Sequence, residues 1–282
     1  MNPGELTSAQ LDQFQDQGYL ILPAVFDAQE IAKMRTEAHA ILNLIINSSV
    51  AHRRRSGRLD WIETDGQQHV RKIQPINDLS LYLSRVSEDP RLLAPMRQIM
   101  HDEPILMEEK LNYKQPLPVR ISHVEVRQGT DRFPIHNDWA YYQAQNYPQA
   151  IISSAISMDD STPDNGPLHV WPGTHRTHLE HIQGPIGFEV REGLVDPKGG
   201  VDIIAPAGSV MLFHSLLVHN SRKNSTQAPR RLMIYSHYPS AFPMCFDVRN
   251  GPSRLRESPW EHEYIRMKAQ GLIQDEFASN DV

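Results

Sequence analysis

The first hundred residues have the periodicity of amphipathic helices. After Asp27, apolar residues recur at every third or fourth position, as on a helix that buries one face. Asp27 is suited to the N-cap, and Glu30 completes a capping-box pattern. A shorter helix that ends at Gly18 precedes it, and the apolar run Tyr19–Pro23 predicts a strand between the two. A further helix is expected over residues 90–100.

The pattern changes from Leu111 onward. Short runs of alternating or uniformly apolar residues follow one another, separated by turns rich in glycine and proline. This pattern is typical of antiparallel strands in a sandwich or barrel, and not of alternating strands and helices. The runs are Ile121–Arg127, Ile151–Met158, Pro167–Trp171, Val201–Ala205, Val210–Leu217 and Leu232–Tyr238.

Composition narrows the classes of protein to consider. The 282 residues are 39% hydrophobic and 22% charged, which is ordinary for a globular domain. The formal net charge of −6 argues against nucleic acid as the main partner. The sequence shows no apolar run of membrane-spanning length and no secretory signal, and its single cysteine, Cys245, permits no internal disulfide. We therefore expect a cytoplasmic protein that acts on a small molecule, with no membrane or nucleic-acid partner and an oligomeric state that the sequence does not reveal.

Two polar segments interrupt the predicted elements. Residues 47–70 include Arg53, Arg54 and Arg55, and residues 176–200 form a long, glycine-rich connection. Runs of charge usually lie in water, so the ordinary interpretation of the arginines is a solvated loop. The sharper hypothesis is that they bind an anionic substrate as part of a lid. The 176–200 connection is the second candidate for a lid.

The most informative short motif is His136-Asn-Asp138. Residues two apart on a strand point to the same face, so both side chains can reach one metal ion. One imidazole and one carboxylate suit Fe(II), and a second histidine would complete a facial triad that leaves positions open for chemistry. A His-x-Asp pair alone is common by chance, so the interpretation depends on a second segment.

That second segment is an apolar run with two histidines, His214 and His219. Residues five apart on one strand face opposite ways, so only one of them is expected to reach the metal. Arg230 follows eleven residues after His219. Its planar guanidinium can pair with the far carboxylate of a keto-diacid whose near end chelates the iron.

Together these motifs resemble the phytanoyl-CoA dioxygenase (PhyH-like) family of Fe(II)- and 2-oxoglutarate-dependent oxygenases. The similar segments are Phe133–Asp138, Asn165–Leu168, Pro172–His175 and His219–Arg230, with a helix–strand–helix opening. The resemblance implies a mainly β fold with flanking helices, a double-stranded β-helix of the jelly-roll or cupin-like barrel type.

The resemblance also implies a domain arrangement and residue roles. A single dioxygenase domain would span residues 1–282, with a mostly helical part over 1–110, the jelly-roll core over 111–240 and an extension over 241–282. The implied iron ligands, which are also the catalytic residues, are His136, Asp138 and His219, which leaves His214 as a packed or hydrogen-bonded residue. The implied 2-oxoglutarate contacts are Arg230, Ser221, Lys72, Leu111 and Tyr113.

The expected activity is hydroxylation of a metabolite or natural-product intermediate with Fe(II), 2-oxoglutarate and O2. The same chemistry could instead give desaturation, demethylation or ring closure. A cupin-type metalloenzyme that needs no 2-oxoglutarate would share the barrel and the histidines but would not require Arg230. A catalytically inactive binding module is disfavoured by the intact triad. Trp139, Tyr141 and Tyr142 follow the metal motif, and they either pack the barrel or form an aromatic wall around the substrate.

Overall fold

The computed structural model describes residues 4–243 and 260–278, so Cys245 lies outside the described residues. The helices are α1 (Ser8–Gln17), α2 (Ala28–Ala51), α3 (Leu81–Val86), α4 (Pro90–Met100), α5 (Trp139–Tyr142) and α6 (Trp260–Ala269). The strands are β1 (Tyr19–Leu22), β2 (Leu59–Thr64), β3 (Gln67–Ile73), β4 (Pro104–Pro116), β5 (Arg127–Gln128), β6 (Phe133–His136), β7 (Ile152–Ser157), β8 (Leu168–Val170), β9 (His181–Gly184), β10 (Gly187–Val190), β11 (Val201–Asp202), β12 (Val210–His214), β13 (His219–Ser221) and β14 (Leu232–Pro239).

Helix α1 ends and helix α2 begins where the sequence predicts. Helix α1 ends at Gly18, which adopts the left-handed conformation that favours glycine. Helix α2 begins with a capping box, because the Asp27 side chain accepts from the backbone of Glu30 while the Glu30 carboxylate accepts from Asp27 N–H. The end of α1 and the start of α2 therefore follow from local sequence alone.

Two sheets face one another. The larger has the strand order β1-β12-β7-β14-β4-β3-β2-β5. Adjacent strands in it are antiparallel, except for the parallel pair β2 and β5. The smaller has the order β11-β8-β13-β6, and β9 pairs with β10 as a separate hairpin. Hydrogen bonding between the described strands does not close the two sheets into a continuous barrel.

Alternation along the strands of the larger sheet separates two apolar cores. On β12, Met211 and Phe213 point between the sheets, where they pack with Val170 of β8. Leu212 points the other way and joins the core formed with helix α2. The same alternation on β4 decides which of its residues reach the space between the sheets.

Several predicted elements differ from the structure. Residues 47–70 are not one loop, because α2 continues to Ala51 and β2 begins at Leu59. The run Ile121–Arg127 forms a strand only at its end, in the two-residue β5. The 176–200 connection contains the hairpin β9–β10. No helix in the described part of the chain is long and apolar enough to cross a membrane.

Candidate active site

Three buried side chains converge at one end of the space between the sheets. His136 ends β6 and His219 begins β13, and these two residues are paired in the register of the adjacent strands. Their Nε2 atoms each lie 3.8 Å from Oδ1 of Asp138. Across the described residues, these three form the one group of histidine, cysteine and acidic side chains whose ligand atoms come together for a metal, all within 4.8 Å of one another.

Asp138 reaches this position by a different route from the one predicted. Strand β6 stops at His136, and Asp138 has helical backbone angles at the start of α5. The expectation that the two residues project from one strand is therefore wrong, although both side chains do reach the same point. A turn at Asn137 brings the carboxylate back toward the imidazole, with Trp139 N–H bonded to Ser215 O.

The two imidazoles are oriented by their backbone neighbours. His136 Nδ1 lies 2.8 Å from Pro134 O, and His219 Nδ1 lies 2.9 Å from Leu217 O. A carbonyl oxygen only accepts, so each Nδ1 carries the proton and each Nε2 presents its lone pair to the centre of the group. This is the tautomer that a metal ion requires.

Burial and charge favour the ligand forms of these groups. Burial, with the adjacent His219, lowers the pKa of His136 to about 3, so its imidazole is neutral at neutral pH. Burial acts to raise the pKa of Asp138, but the Lys110 ammonium and both imidazoles outweigh it, and the net shift is downward. Lys110 Nζ lies 3.9 Å from Asp138 Oδ1, whereas Asp138 Oδ2 is buried without a hydrogen-bond partner.

His214 lies outside this group. It ends β12, accepts a hydrogen bond at Nδ1 from Leu216 N–H at 3.1 Å, and lies beside the ring of His175. The expectation that His214 and His219 share one strand is wrong, because a turn separates β12 from β13. The expectation of a packed, hydrogen-bonded histidine agrees with its surroundings.

A cavity of about 330 Å³ opens beside the triad. Charged side chains contribute much of its wall, together with the aromatic rings of Phe133, Tyr141, Tyr142 and Phe213. The charged residues that line it, apart from the triad, are Asp60, Arg71, Lys72, Glu108, Lys110 and Arg127.

A buried ionic network forms the inner wall of the cavity. Glu108 accepts from Lys110 Nζ at 2.8 Å, from Tyr142 Oη at 2.9 Å and from Gln74 Nε2 at 2.7 Å. Burial acts to lower the pKa of Lys110, but the carboxylates of Asp138 and Glu108 raise it well above its usual range. Lys110 is therefore a fixed positive charge between two carboxylates, and Tyr142 is held in the wall, which is one of the two placements expected for it.

The proposed cosubstrate residues fall into two groups. Ser221 is two residues beyond His219 on β13 and lines the cavity, and Lys72 lines it from β3. Burial and the neighbouring Lys110 lower the pKa of Lys72. Leu111 and Tyr113, in contrast, are fully buried in the core against α2 and do not line the cavity.

The assignment of Leu111 and Tyr113 as cosubstrate contacts is therefore wrong. Neighbours on a strand alternate, so on β4 the side chains of Lys110 and Asn112 face the cavity while Leu111 and Tyr113 face the helices. The Tyr113 hydroxyl donates to Ala38 O at 2.7 Å on that side. The correct segment of the chain is involved, but the register differs by one residue.

Arg230 is a buried residue whose guanidinium has donors without a partner. It is 1% exposed and donates from Nη2 to Gly166 O at 2.8 Å, while Nε and Nη1 have no partner. Burial lowers the pKa of Arg230 to about 10, against the opposing effect of Asp131 and Asp159, so the guanidinium stays charged at neutral pH. The side chain does not itself line the cavity.

Of the three aromatic residues after the metal motif, two line the cavity. Tyr141 meets the His136 ring edge-on at 5.6 Å, and Tyr142 binds Glu108. Trp139 does not line the cavity, because its indole packs in a separate apolar cluster and donates to Tyr147 O at 3.2 Å. Its assignment to the substrate wall is wrong.

The arginines proposed as a lid lie elsewhere. Arg53, Arg54 and Arg55 are exposed at the end of α2, and none lines the cavity. Arg54 stacks on the ring of Trp260 in α6, 5.1 Å from its centroid. The lid hypothesis for these residues is therefore wrong, because the C-terminal helix holds this turn.

The hairpin β9–β10 is the segment that covers the cavity. Ile186 and Gly187 at its tip line the cavity, and Phe188 N–H donates to Tyr141 Oη at 3.0 Å. Gly187 has a φ of 141°, and a Cβ added there would lie 2.5 Å from Tyr141 Oη. Only glycine allows the hairpin to approach the tyrosine this closely.

Apart from Lys72, sequence reasoning missed the charged residues of the cavity wall outside the triad. Asp60 and Arg71 lie in or next to the segment whose polar composition suggests a loop, and Arg127 ends a run whose pattern suggests a longer strand. Glu108 and Lys110 belong to a strand whose charges hide its alternation. That alternation, once aligned with the flanking apolar residues, is the signal by which they could have been found.

The chain is similar in sequence to known oxygenases. The model of the phytanoyl-CoA dioxygenase family matches residues 14–232. Ectoine dioxygenase from Halomonas elongata is 28% identical over 246 residues, which cover 80% of this chain and 68% of the relative. L-proline trans-4-hydroxylase from Streptomyces griseoviridis is 24% identical over 243 residues, covering 78% and 82% of the two chains.

Solved structures share the fold. EctD from S. alaskensis with 2-oxoglutarate and 5-hydroxyectoine has a TM-score of 0.64 at 24% identity, covering 90% of this chain and 84% of that one. The epimerase SnoN in complex with Fe3+, alpha ketoglutarate and nogalamycin RO has a TM-score of 0.61 at 18% identity, covering 82% and 83%. The predicted jelly-roll fold is confirmed. The family model matches residues 14–232, which is most of this chain. The chain therefore belongs to the phytanoyl-CoA dioxygenase (PhyH) family and is an Fe(II)- and 2-oxoglutarate-dependent oxygenase.

Proposed function

We propose that this enzyme hydroxylates a small-molecule metabolite and that its iron ligands are His136, Asp138 and His219. The observation that carries the assignment is the convergence of these three buried side chains, with both imidazole lone pairs directed at one point. Two histidines and one carboxylate form the facial set that suits Fe(II) and leaves positions open for further ligands.

The donor set fits iron on grounds besides its spacing. Asp138 Oδ2 is a buried carboxylate oxygen without a partner, which is costly unless a cation or donor occupies the adjacent space. When bound, iron and 2-oxoglutarate supply the oxidation of a substrate C–H bond by O2. The chain contributes the fixed tautomers of His136 and His219, and Lys110 keeps the Asp138 carboxylate ionised.

We assign cosubstrate binding to Arg230, Ser221 and Lys72. Arg230 Nε and Nη1 are unpaired donors on a buried guanidinium, so each can donate a charge-assisted hydrogen bond to a carboxylate oxygen. Because Arg230 lies outside the cavity wall, its binding role requires the surrounding side chains to open toward it. Ser221 and Lys72 already line the cavity and can bind the remaining polar groups of a dicarboxylate.

The size of the cavity supports a small substrate. Its 330 Å³ lies at the lower end of the roughly 300–1,000 Å³ typical of ligand pockets, and it must accommodate part of the cosubstrate as well. Relatives named for ectoine and L-proline act on molecules of this class. The hairpin β9–β10 excludes water from the reacting groups by covering the cavity above Tyr141.

The outcome of the oxidation is open to several products. The same chemistry could instead give desaturation, demethylation or ring closure, and the similar solved structures include an epimerase and a carbocyclase. Hydroxylation is favoured because the curated relatives include a proline hydroxylase. Product analysis separates these outcomes, since hydroxylation adds an oxygen atom and desaturation removes two hydrogen atoms.

The test uses enzyme purified without oxygen and loaded with Fe(II) and 2-oxoglutarate. A metabolite mixture is added, the sample is exposed to O2, and succinate and mass changes are measured together. We expect one metabolite to gain an oxygen atom in proportion to succinate formed. Loss of two hydrogens without oxygen gain would identify desaturation, and absence of 2-oxoglutarate consumption would overturn the proposal.

A further inference from the structure

A cationic patch forms part of the cavity wall. It consists of Arg71 of β3, Arg127 of β5 and Asp60 of β2, and we refer to it as the arginine patch. Arg127 Nη2 lies 2.7 Å from Asp60 Oδ1, and Arg71 Nη1 lies 3.4 Å from Asp60 Oδ2. One carboxylate thus serves two guanidinium groups, and the patch carries a net positive charge.

Arg71 is held in place for binding. A bulge on β3 leaves Arg71 without a partner on β2, so both Arg71 and the next residue, Lys72, line the cavity. The Arg71 guanidinium lies 4.3 Å from the centroid of the Phe133 ring and donates to Arg132 O at 3.1 Å. Its side chain is 3% exposed and its Nε has no partner. Burial lowers the pKa of Arg71, against the opposing effect of Asp60 and Asp131.

The charged residues of the whole cavity wall also sum to a net positive charge. Iron(II) and the 2-oxoglutarate dianion carry equal and opposite charges, so their binding leaves the balance of the wall unchanged. With every side chain ionised, the wall keeps one excess positive charge; it favours a further anion without requiring one, because the Arg127 side chain is 40% exposed to solvent. The four cationic and three anionic residues of the wall are Arg71, Lys72, Lys110 and Arg127, and Asp60, Glu108 and Asp138.

We propose that the arginine patch binds an oxyanion of the substrate, such as a carboxylate, and so selects anionic small molecules for oxidation. This inference rests on the proposed function, because it places the opposite end of the same molecule at the triad. Phe133, which lies under Arg71, is three residues from His136 on β6, or about 10 Å along a strand. Tyr141, whose ring meets the His136 ring edge-on, lines the same cavity as Arg71. The oxidised carbon therefore lies several bonds from the bound oxyanion.

The first experiment asks whether the patch binds an oxyanion at all. Crystals of the Mn(II)- and 2-oxoglutarate-loaded protein are soaked in selenate, whose selenium is located by anomalous scattering. We expect a selenium site within hydrogen-bond distance of Arg71 and Arg127, and its loss in Arg127→Gln. Arg120→Gln is the matched control, because Arg120 is an exposed arginine paired with Glu63 outside the cavity. A wild-type crystal without selenium at the patch would overturn the proposal.

The second experiment asks whether the bound oxyanion belongs to the substrate or to 2-oxoglutarate. The metabolite mixture is divided by anion exchange into retained and unretained fractions, and each is tested for oxygen gain. We expect the product in the retained fraction, with KM for that compound raised at least about tenfold in Arg71→Gln and Arg127→Gln. A product from the unretained fraction would overturn the proposal, as would an equal loss of 2-oxoglutarate affinity in these variants. If the proposed function itself is wrong, neither fraction will give succinate, and this result is distinguishable from a product in the unretained fraction.

Discussion

Substitution of Arg230 by methionine separates cosubstrate binding from folding. The Arg230 guanidinium is buried, has one hydrogen bond to Gly166 O, and has two nitrogen atoms without a partner. Loss of one member of a buried charge pair typically costs about 2–5 kcal/mol, equivalent to a roughly 30- to 5,000-fold loss of affinity. We therefore expect the Kd for 2-oxoglutarate to rise at least about 30-fold in Arg230→Met, while iron binding is retained.

The same change is expected to leave the ligand-free protein as stable as the wild type or more so. A buried charge with a single hydrogen bond is replaced by an apolar side chain of similar length, which removes a desolvation cost. Arg231→Met is the matched control. Arg231 forms hydrogen bonds of 2.9 and 2.8 Å from Nε and Nη2 to the carboxylate of Asp159, so its loss should lower stability without weakening 2-oxoglutarate binding.

Thermal unfolding of the Mn(II)-loaded protein with and without 2-oxoglutarate measures both effects in one series. The cosubstrate should raise the Tm of the wild type and of Arg231→Met, but not that of Arg230→Met. A wild-type increase in Tm for Arg230→Met would show that this guanidinium does not anchor the cosubstrate.

Three further predictions concern residues away from the cavity. Burial, with the nearby His175, lowers the pKa of His214 to about 4, so the unfolded chain binds this proton more readily. His214 should therefore reduce stability by up to ~3 kcal/mol as the pH falls from 7 to 4, and His214→Gln should flatten the Tm–pH profile over that interval; an unchanged profile would contradict this. Glu261→Ala breaks a buried pair with Arg58 and should cost roughly 3–5 kcal/mol in urea unfolding, whereas a loss under about 1 kcal/mol would show that the pair does not hold α6 in place. Neutralising Arg53–Arg55 together should leave 2-oxoglutarate turnover unchanged, and a fall would restore their role as a lid.

Features encoded in a few consecutive residues can be predicted correctly. The capping box at Asp27 needs only the carboxylates of Asp27 and Glu30 and a free helix end, so it follows directly from the sequence. The grouping of His136, Asp138 and His219 is also predictable, because iron chemistry limits the residue types and the family resemblance selects His219 over His214. The backbone at Asp138 is not, since a turn and a strand can deliver the same carboxylate to the same point.

Features that depend on register are predicted less well. Whether Tyr113 or Lys110 faces the cavity depends on the pairing of β4 with its neighbours, which a one-residue shift reverses. Arg54 lies away from the cavity because it stacks on Trp260, more than 200 positions along the chain. Arg71 lines the cavity because a bulge on β3 turns it inward. Residue type alone does not separate them.

The metal assignment is tested most directly by the charge-transfer absorption that appears when 2-oxoglutarate is added, without oxygen, to the Fe(II)-loaded protein. His219→Ala and His214→Ala form a matched pair, because both remove an imidazole from the same apolar run. Only His219 belongs to the triad. We expect the absorption in the wild type and in His214→Ala, and its loss in His219→Ala. Its absence from the wild type, or its survival in His219→Ala with loss in His214→Ala, would contradict the proposed iron site.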